Sequence, residues 1–166
     1  MDAQVAVDIL NRVLHGTVNS VVQYIEIATP HVPKGMEEDF AAVRKMRDEE
    51  LQTAGRTTEL IAALDGVPKA GVFPYWNVDL NYLDLRFLCR FAAKHEAKAL
   101  AEIQLELDQA KDDPRVHRLL EDILAQKSRH LEQLQEIGAK KLKEPTEEEI
   151  AAAQPKEAQH VPRAWS

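Results

Sequence analysis

The segment "DGVPKAGVFPYWNVD", Asp65 to Asp79, decides how the rest of the chain can fold. It holds two prolines and two glycines in fifteen residues and lies between two long stretches with helical apolar spacing. A tight antiparallel connection needs only a few residues. Fifteen extended residues span roughly 50 Å, the length of a long helix. The segment can therefore return the chain from one end of a helical bundle to the other. The helices that flank it then run parallel, which is the one-crossover bundle topology. Trp76, within the crossover, is expected to be a packing anchor.

Before the crossover, periodicity predicts a helix from Met36 to Leu64, closed by Asp65-Gly66 with Pro68 just beyond. Its inward stripe runs Phe40, Val43, Met46, Glu50, Thr53, Thr57, Ile61. A first helix is predicted from Ala3 to Ala28, ended by Pro30, Pro33 and Gly35. After the crossover a third helix is predicted from Leu80 to Lys111, with Asp79 as N-cap. Asp113 caps the fourth, with Pro114 in its first turn, and the pattern continues to Leu142. Thr146 and Glu149 form a capping box for a short helix. The expected fold is all-α: a four-helix bundle over 1–143, then a short C-terminal helix and a mobile tail over 144–166.

Composition agrees. Only six of 166 residues are Gly, and 45% are hydrophobic against 30% charged. Good helix formers dominate. A net charge of −7 argues against a nucleic-acid partner held through phosphates. The lone Cys89 rules out an intrachain disulfide, and its apolar neighbours make it a core residue. No apolar run nears the ~20 residues of a membrane helix, and the N-terminal residues do not resemble a signal peptide. A cytoplasmic protein is expected.

Each stripe is apolar at both ends and polar in the middle. The interruptions are Thr17, Glu50 with Thr53, Glu96, and Lys127 with His130, the last pair within "VHRLLEDILAQKSRHLEQLQ" (116–135). Residues at i and i+3 share a helix face, and the midpoints of antiparallel neighbours meet, so these groups converge at one level of the core. Charges there must be paired or bound to metal. Two carboxylates and a histidine suit iron, manganese or zinc. The residues alone leave both the ion-paired and the metal reading open.

Here the chain resembles the bacterioferritin branch of the ferritin-like family. "LNRVLHGTVNSVVQY" (10–24) is similar to the family's first helix, "EELQT" (49–53) and "ELIAALDGVP" (59–68) to its second, and "LLEDILAQKSRHLEQL" (119–134) to its fourth. The resemblance implies a bundle that carries two iron atoms and oxidises or stores iron. It also implies the ligand positions. The first-helix glutamate falls on Thr17. The second-helix Glu-x-x-His falls on Glu50 and Thr53. The third-helix glutamate, in "KHEAKAL" (94–100), falls on Glu96. The fourth-helix Glu-x-x-His falls on Lys127 and His130. Three of six ligands are therefore kept. The family's haem-ligating methionine follows the second-helix glutamate, and Leu51 stands there, so haem is not expected.

Two arrangements follow. Lys127 can replace the metal by bridging Glu50 and Glu96, with His130 in the same network and no cofactor. Alternatively Glu50, Glu96 and His130 hold one metal ion. The first reading is a bundle that has lost iron oxidation. The second is an iron-binding protein with a reduced site. A third is an interaction module acting through the acidic tail and Trp165. The resemblance implies a homodimer, with a larger cage as the alternative. His95 is read as a surface or interface residue and Tyr24 as a core tyrosine. His15 and His31 carry no assigned role.

Overall fold

The computed structural model describes residues 1–72, 79–142, 146–148 and 152. Five helices carry the fold: α1 (Ala3–Val18), α2 (Val21–Ile25), α3 (Glu37–Ala63), α4 (Leu85–Gln109) and α5 (Pro114–Ala139). Thr146 is described and residues 147, 148 and 152 are helical. Glu149, Trp76 and Trp165 lie outside the described residues. None of the described helices is long and apolar enough to cross a membrane.

α1 packs mainly on α3, and α4 mainly on α5. Each pair is antiparallel. Arg90 at the start of α4 donates to the Gly138 carbonyl at the end of α5 (2.7 Å). Glu26, just past α2, meets Arg47 in the first half of α3 (2.7 Å). α3 and α4 run parallel, as the crossover length requires: Lys140, beside the start of α4, also pairs with Asp39 near the start of α3 (2.7 Å).

The helix ends follow from local chemistry. α3 closes with Asp65 in the left-handed region (φ 56°), while the Asp65 and Gly66 amides donate to the carbonyls of Ala62 and Ile61. The crossover then climbs α1. The side chains of Asn11, His15 and Asn19, one helical turn apart, bind the backbone of Val67, Lys69 and Ala70. His15, assigned no role from sequence, is one of these rungs.

Two boundaries differ from expectation by more than a helical turn, and α5 ends at Ala139, short of Leu142, where Lys140 turns extended (ψ 131°). The first helix does not continue to Ala28 but breaks at Asn19–Ser20. Ser20 takes an extended conformation (ψ 157°) and restarts the chain as the N-cap of α2. The third long helix begins at Leu85, capped by Asp84 instead of Asp79. Tyr82 sits at φ 63°, and the backbone from Tyr82 to Leu85 hydrogen-bonds Ala28 and His31 instead of starting a helix.

The apolar core falls into two clusters. One gathers Val22, Ile25, Met46, Leu88, Cys89 and Leu134. The other gathers Ile9, Leu10, Ile61, Ile103, Leu120 and Ile123. The polar band lies between them.

Candidate metal centre

Every residue of the predicted polar band is buried. Glu50 and His130 are 0% exposed, Glu96 and Lys127 2%, Thr17 2% and Thr53 4%. α3, α4 and α5 each contribute to its centre. Helical spacing on α5 puts Lys127 and His130 on one face. Glu50 and Glu96 arrive from near the middle of α3 and α4.

The Lys127 ammonium sits between the two carboxylates. It donates to Oε1 of Glu50 at 2.9 Å and to both oxygens of Glu96 at 3.0 and 3.1 Å. The other Glu50 oxygen is held from the broken first helix: Ser20 Oγ donates to it at 2.6 Å and Gln23 Nε2 at 3.0 Å. The helix break and the site are thus one feature. Within a continuous helix a serine hydroxyl commonly donates to the carbonyl four residues back, whereas Ser20 as N-cap accepts from the Gln23 amide and donates to Glu50. Neither Ser20 nor Gln23 was identified from sequence as a site residue. The available signal was a capping residue in mid-helix, three positions before a glutamine.

His130 is not in the Lys127 network. Its Nε2 lies 2.8 Å from Oε2 of Glu49, the neighbour of Glu50, and Glu49 is only partly buried. The expectation that His130 shares the charge of Glu50 and Glu96 is corrected on this point, because Glu49 supplies its own carboxylate. Nδ1 of His130 is buried and has no hydrogen-bond partner among the described residues. In the neutral ring, a proton on Nε2 toward Glu49 leaves the lone pair on Nδ1. One ligand atom each from Glu50, Glu96 and His130 lies within 4.8 Å of the other two.

The two threonines turn elsewhere. Thr17 donates to the Val13 carbonyl of its own helix at 2.9 Å, and Thr53 donates to the Gln126 side chain at 2.6 Å. The other singled-out residues also lie apart. The Tyr24 hydroxyl donates to Asn81 (2.7 Å), and the His95 ring tilts against Phe91 with centroids 4.7 Å apart. His31 bonds through its backbone to Leu83 and Leu85.

The electrostatics follow from one cation facing two anions. Burial pushes Lys127 toward neutrality, but attraction to Glu50 and Glu96 outweighs it and holds the ammonium above its ordinary range. Glu96 is raised, chiefly by burial and further by repulsion from Glu50, because its share of Lys127 does not compensate. Cys89, in the neighbouring apolar cluster, is pushed by burial to about 12 and is an unreactive thiol.

Two metal ions do not fit this donor set. An ammonium lies between the two carboxylates, and the nearby hydroxyls of Thr17 and Thr53 are given to the Val13 carbonyl and to Gln126. A single ion would find two carboxylates and the unpartnered Nδ1 of His130, with Glu49 orienting the ring, provided the ammonium moved aside. Space for that movement exists. A cavity of about 620 Å³ between α1 and α4 has Lys127 in its wall, together with Val13, Gly16, Ala99 and Ile103. The Arg12–Glu106 ion pair, 2.6 and 2.8 Å, spans the two helices beside it.

No protein with a curated description matches the chain. Among solved structures, a ferritin-like, diiron-carboxylate protein from Bacillus anthracis str. Ames superposes with a TM-score of 0.67 at 20% identity, covering 83% of this chain and 99% of that one. A dodecameric thioferritin, the bacterioferritin-related protein from Bacteroides fragilis, gives 0.66 at 23% identity, covering 82% and 86%. At these identities the likeness is one of fold. Residues 7–141 match the ferritin-like domain as a family, and the chain accordingly belongs to the ferritin-like family.

Proposed function

We propose that this chain is a ferritin-like bundle that has lost two-metal iron oxidation, with Lys127 closing the core where a second cationic centre would otherwise be needed. The observation that carries this reading is the placement of the Lys127 ammonium, 2.9 Å from Glu50 and 3.0 Å from Glu96. An ammonium and two divalent ions compete for the same carboxylates, and the ammonium is covalently present in every molecule. The network holds the bundle in register at its midpoint, although a buried ion pair need not add net stability.

The test is aerobic loading of apo-protein with iron(II), with bound metal counted and oxidation followed optically. At most one tightly bound iron per chain and no rapid oxidation are expected. Two irons per chain with fast oxidation would overturn the reading. A triple change, Thr17→Glu, Thr53→His and Lys127→Glu, should gain metal binding. If it gains none, the ligand positions are wrongly assigned.

A second reading, one metal ion at Glu50, Glu96 and His130, is favoured by the unpartnered Nδ1 of His130. For assembly we propose a homodimer, which light scattering would distinguish from a cage or from a dodecamer such as the thioferritin of similar fold.

A further inference from the structure

The cavity behind Lys127 has no place in the reading of a permanently closed core. Charge has a bearing on it too. Two buried carboxylates, Glu50 and Glu96, share the single ammonium of Lys127, and His130 has its own acid in Glu49. A divalent cation would neutralise both carboxylates and would meet the buried, unpartnered Nδ1 of His130. The geometry points to Lys127 as a displaceable resident cation. On binding of one divalent metal ion to Glu50, Glu96 and His130, the Lys127 side chain swings into the α1–α4 cavity that it already lines. This inference rests on the single-metal reading above.

Three features support the exchange. The cavity, about 620 Å³, is much larger than a butylammonium group. Its wall carries the Glu102 carboxylate, which the displaced ammonium approaches, while Glu106 there is already paired with Arg12 and Lys69 also lines the wall. Glu50 is held from its second oxygen by Ser20 and Gln23, and it therefore stays in place when Lys127 leaves. Glu49 is then a positioning residue, keeping the His130 lone pair toward the site.

The experiment uses cobalt(II) as a spectroscopic, divalent probe on the full chain. Wild type is expected to bind one cobalt per chain. Lys127→Met, which keeps an apolar stem without the charge, should bind it at least ~10-fold more tightly, a difference of about 1.4 kcal/mol or more. His130→Ala should abolish binding. Independently, reductive methylation mapped by mass spectrometry should leave Lys127 unmodified in the apo-protein and modify it in the cobalt-loaded protein.

Failure of wild type to take up cobalt at millimolar concentration would overturn the inference. So would equal affinity in Lys127→Met, retained binding in His130→Ala, or a Lys127 still protected in the loaded protein. If Lys127→Met does not fold, the methylation of wild type decides alone. These failures leave the loss of two-metal oxidation standing, since that reading falls only to two oxidising irons per chain.

Discussion

Lys127 and Glu96 are not equivalent partners, and substitution separates them. Lys127→Met leaves two carboxylates buried without a cation, and breaking a buried pair in this way costs about 3–5 kcal/mol. Glu96→Gln instead leaves Lys127 with one carboxylate and a neutral amide, a balanced pair. A thermal melt should show a large loss for the first and little change, or a gain, for the second. The pH dependence follows from the raised Glu96. Its folded-state pKa lies above the ordinary 4.5, so the folded chain holds the proton more tightly than the unfolded chain. The stability from this group is fully present below the ordinary value and is lost as pH rises through the folded value. The difference in melting temperature between Glu96→Gln and wild type should therefore widen over that window. A difference independent of pH would show that Glu96 is not raised.

At the scale of elements, the break between α1 and α2 joins secondary structure to the site. Ser20 caps α2 by accepting from the Gln23 amide (3.2 Å) and spends its proton on Glu50 (2.6 Å). Ser20→Ala removes both bonds, one of them to a charged acceptor, and should cost about 1.5–3 kcal/mol. Urea denaturation checks this, and a loss below about 0.5 kcal/mol would detach the break from the site. The Arg12–Glu106 pair between α1 and α4 is a contrasting case. Arg12 is 54% exposed, so Arg12→Ala should cost no more than about 1 kcal/mol despite ideal distances. The crossover shows what sequence could tell about an element. Its length alone implied parallel α3 and α4. The three rungs on α1 that guide it did not stand out, because Asn11, His15 and Asn19 look like any exposed polar stripe until the partner backbone lies alongside.

Across the whole molecule, two apolar clusters are joined through a polar waist. Cys89 lies fully buried in one of them, with its thiol raised to about 12, and it reports on opening of the bundle. Ellman's reagent should react with it only on unfolding, and Lys127→Met should speed the reaction in proportion to the stability lost. Reaction at the rate of a free thiol in the native protein would show that this cluster opens locally. By itself, the sequence determined four helical stretches, their order and the crossover between the second and third, and six polar residues of the waist, Thr17, Glu50, Thr53, Glu96, Lys127 and His130. All of these follow from local propensity, period and chain length. Lys127 between Glu50 and Glu96 was already an expectation of the sequence, and the packed structure has it. Only the tertiary structure decided the other pairings, sending His130 to Glu49 and Ser20 to the far oxygen of Glu50. Periodicity places a side chain on a face of its helix to within one position. A hydrogen bond is decided over tenths of an ångström, between residues tens of positions apart. That precision arises only when the helices pack and every buried charge must find a partner.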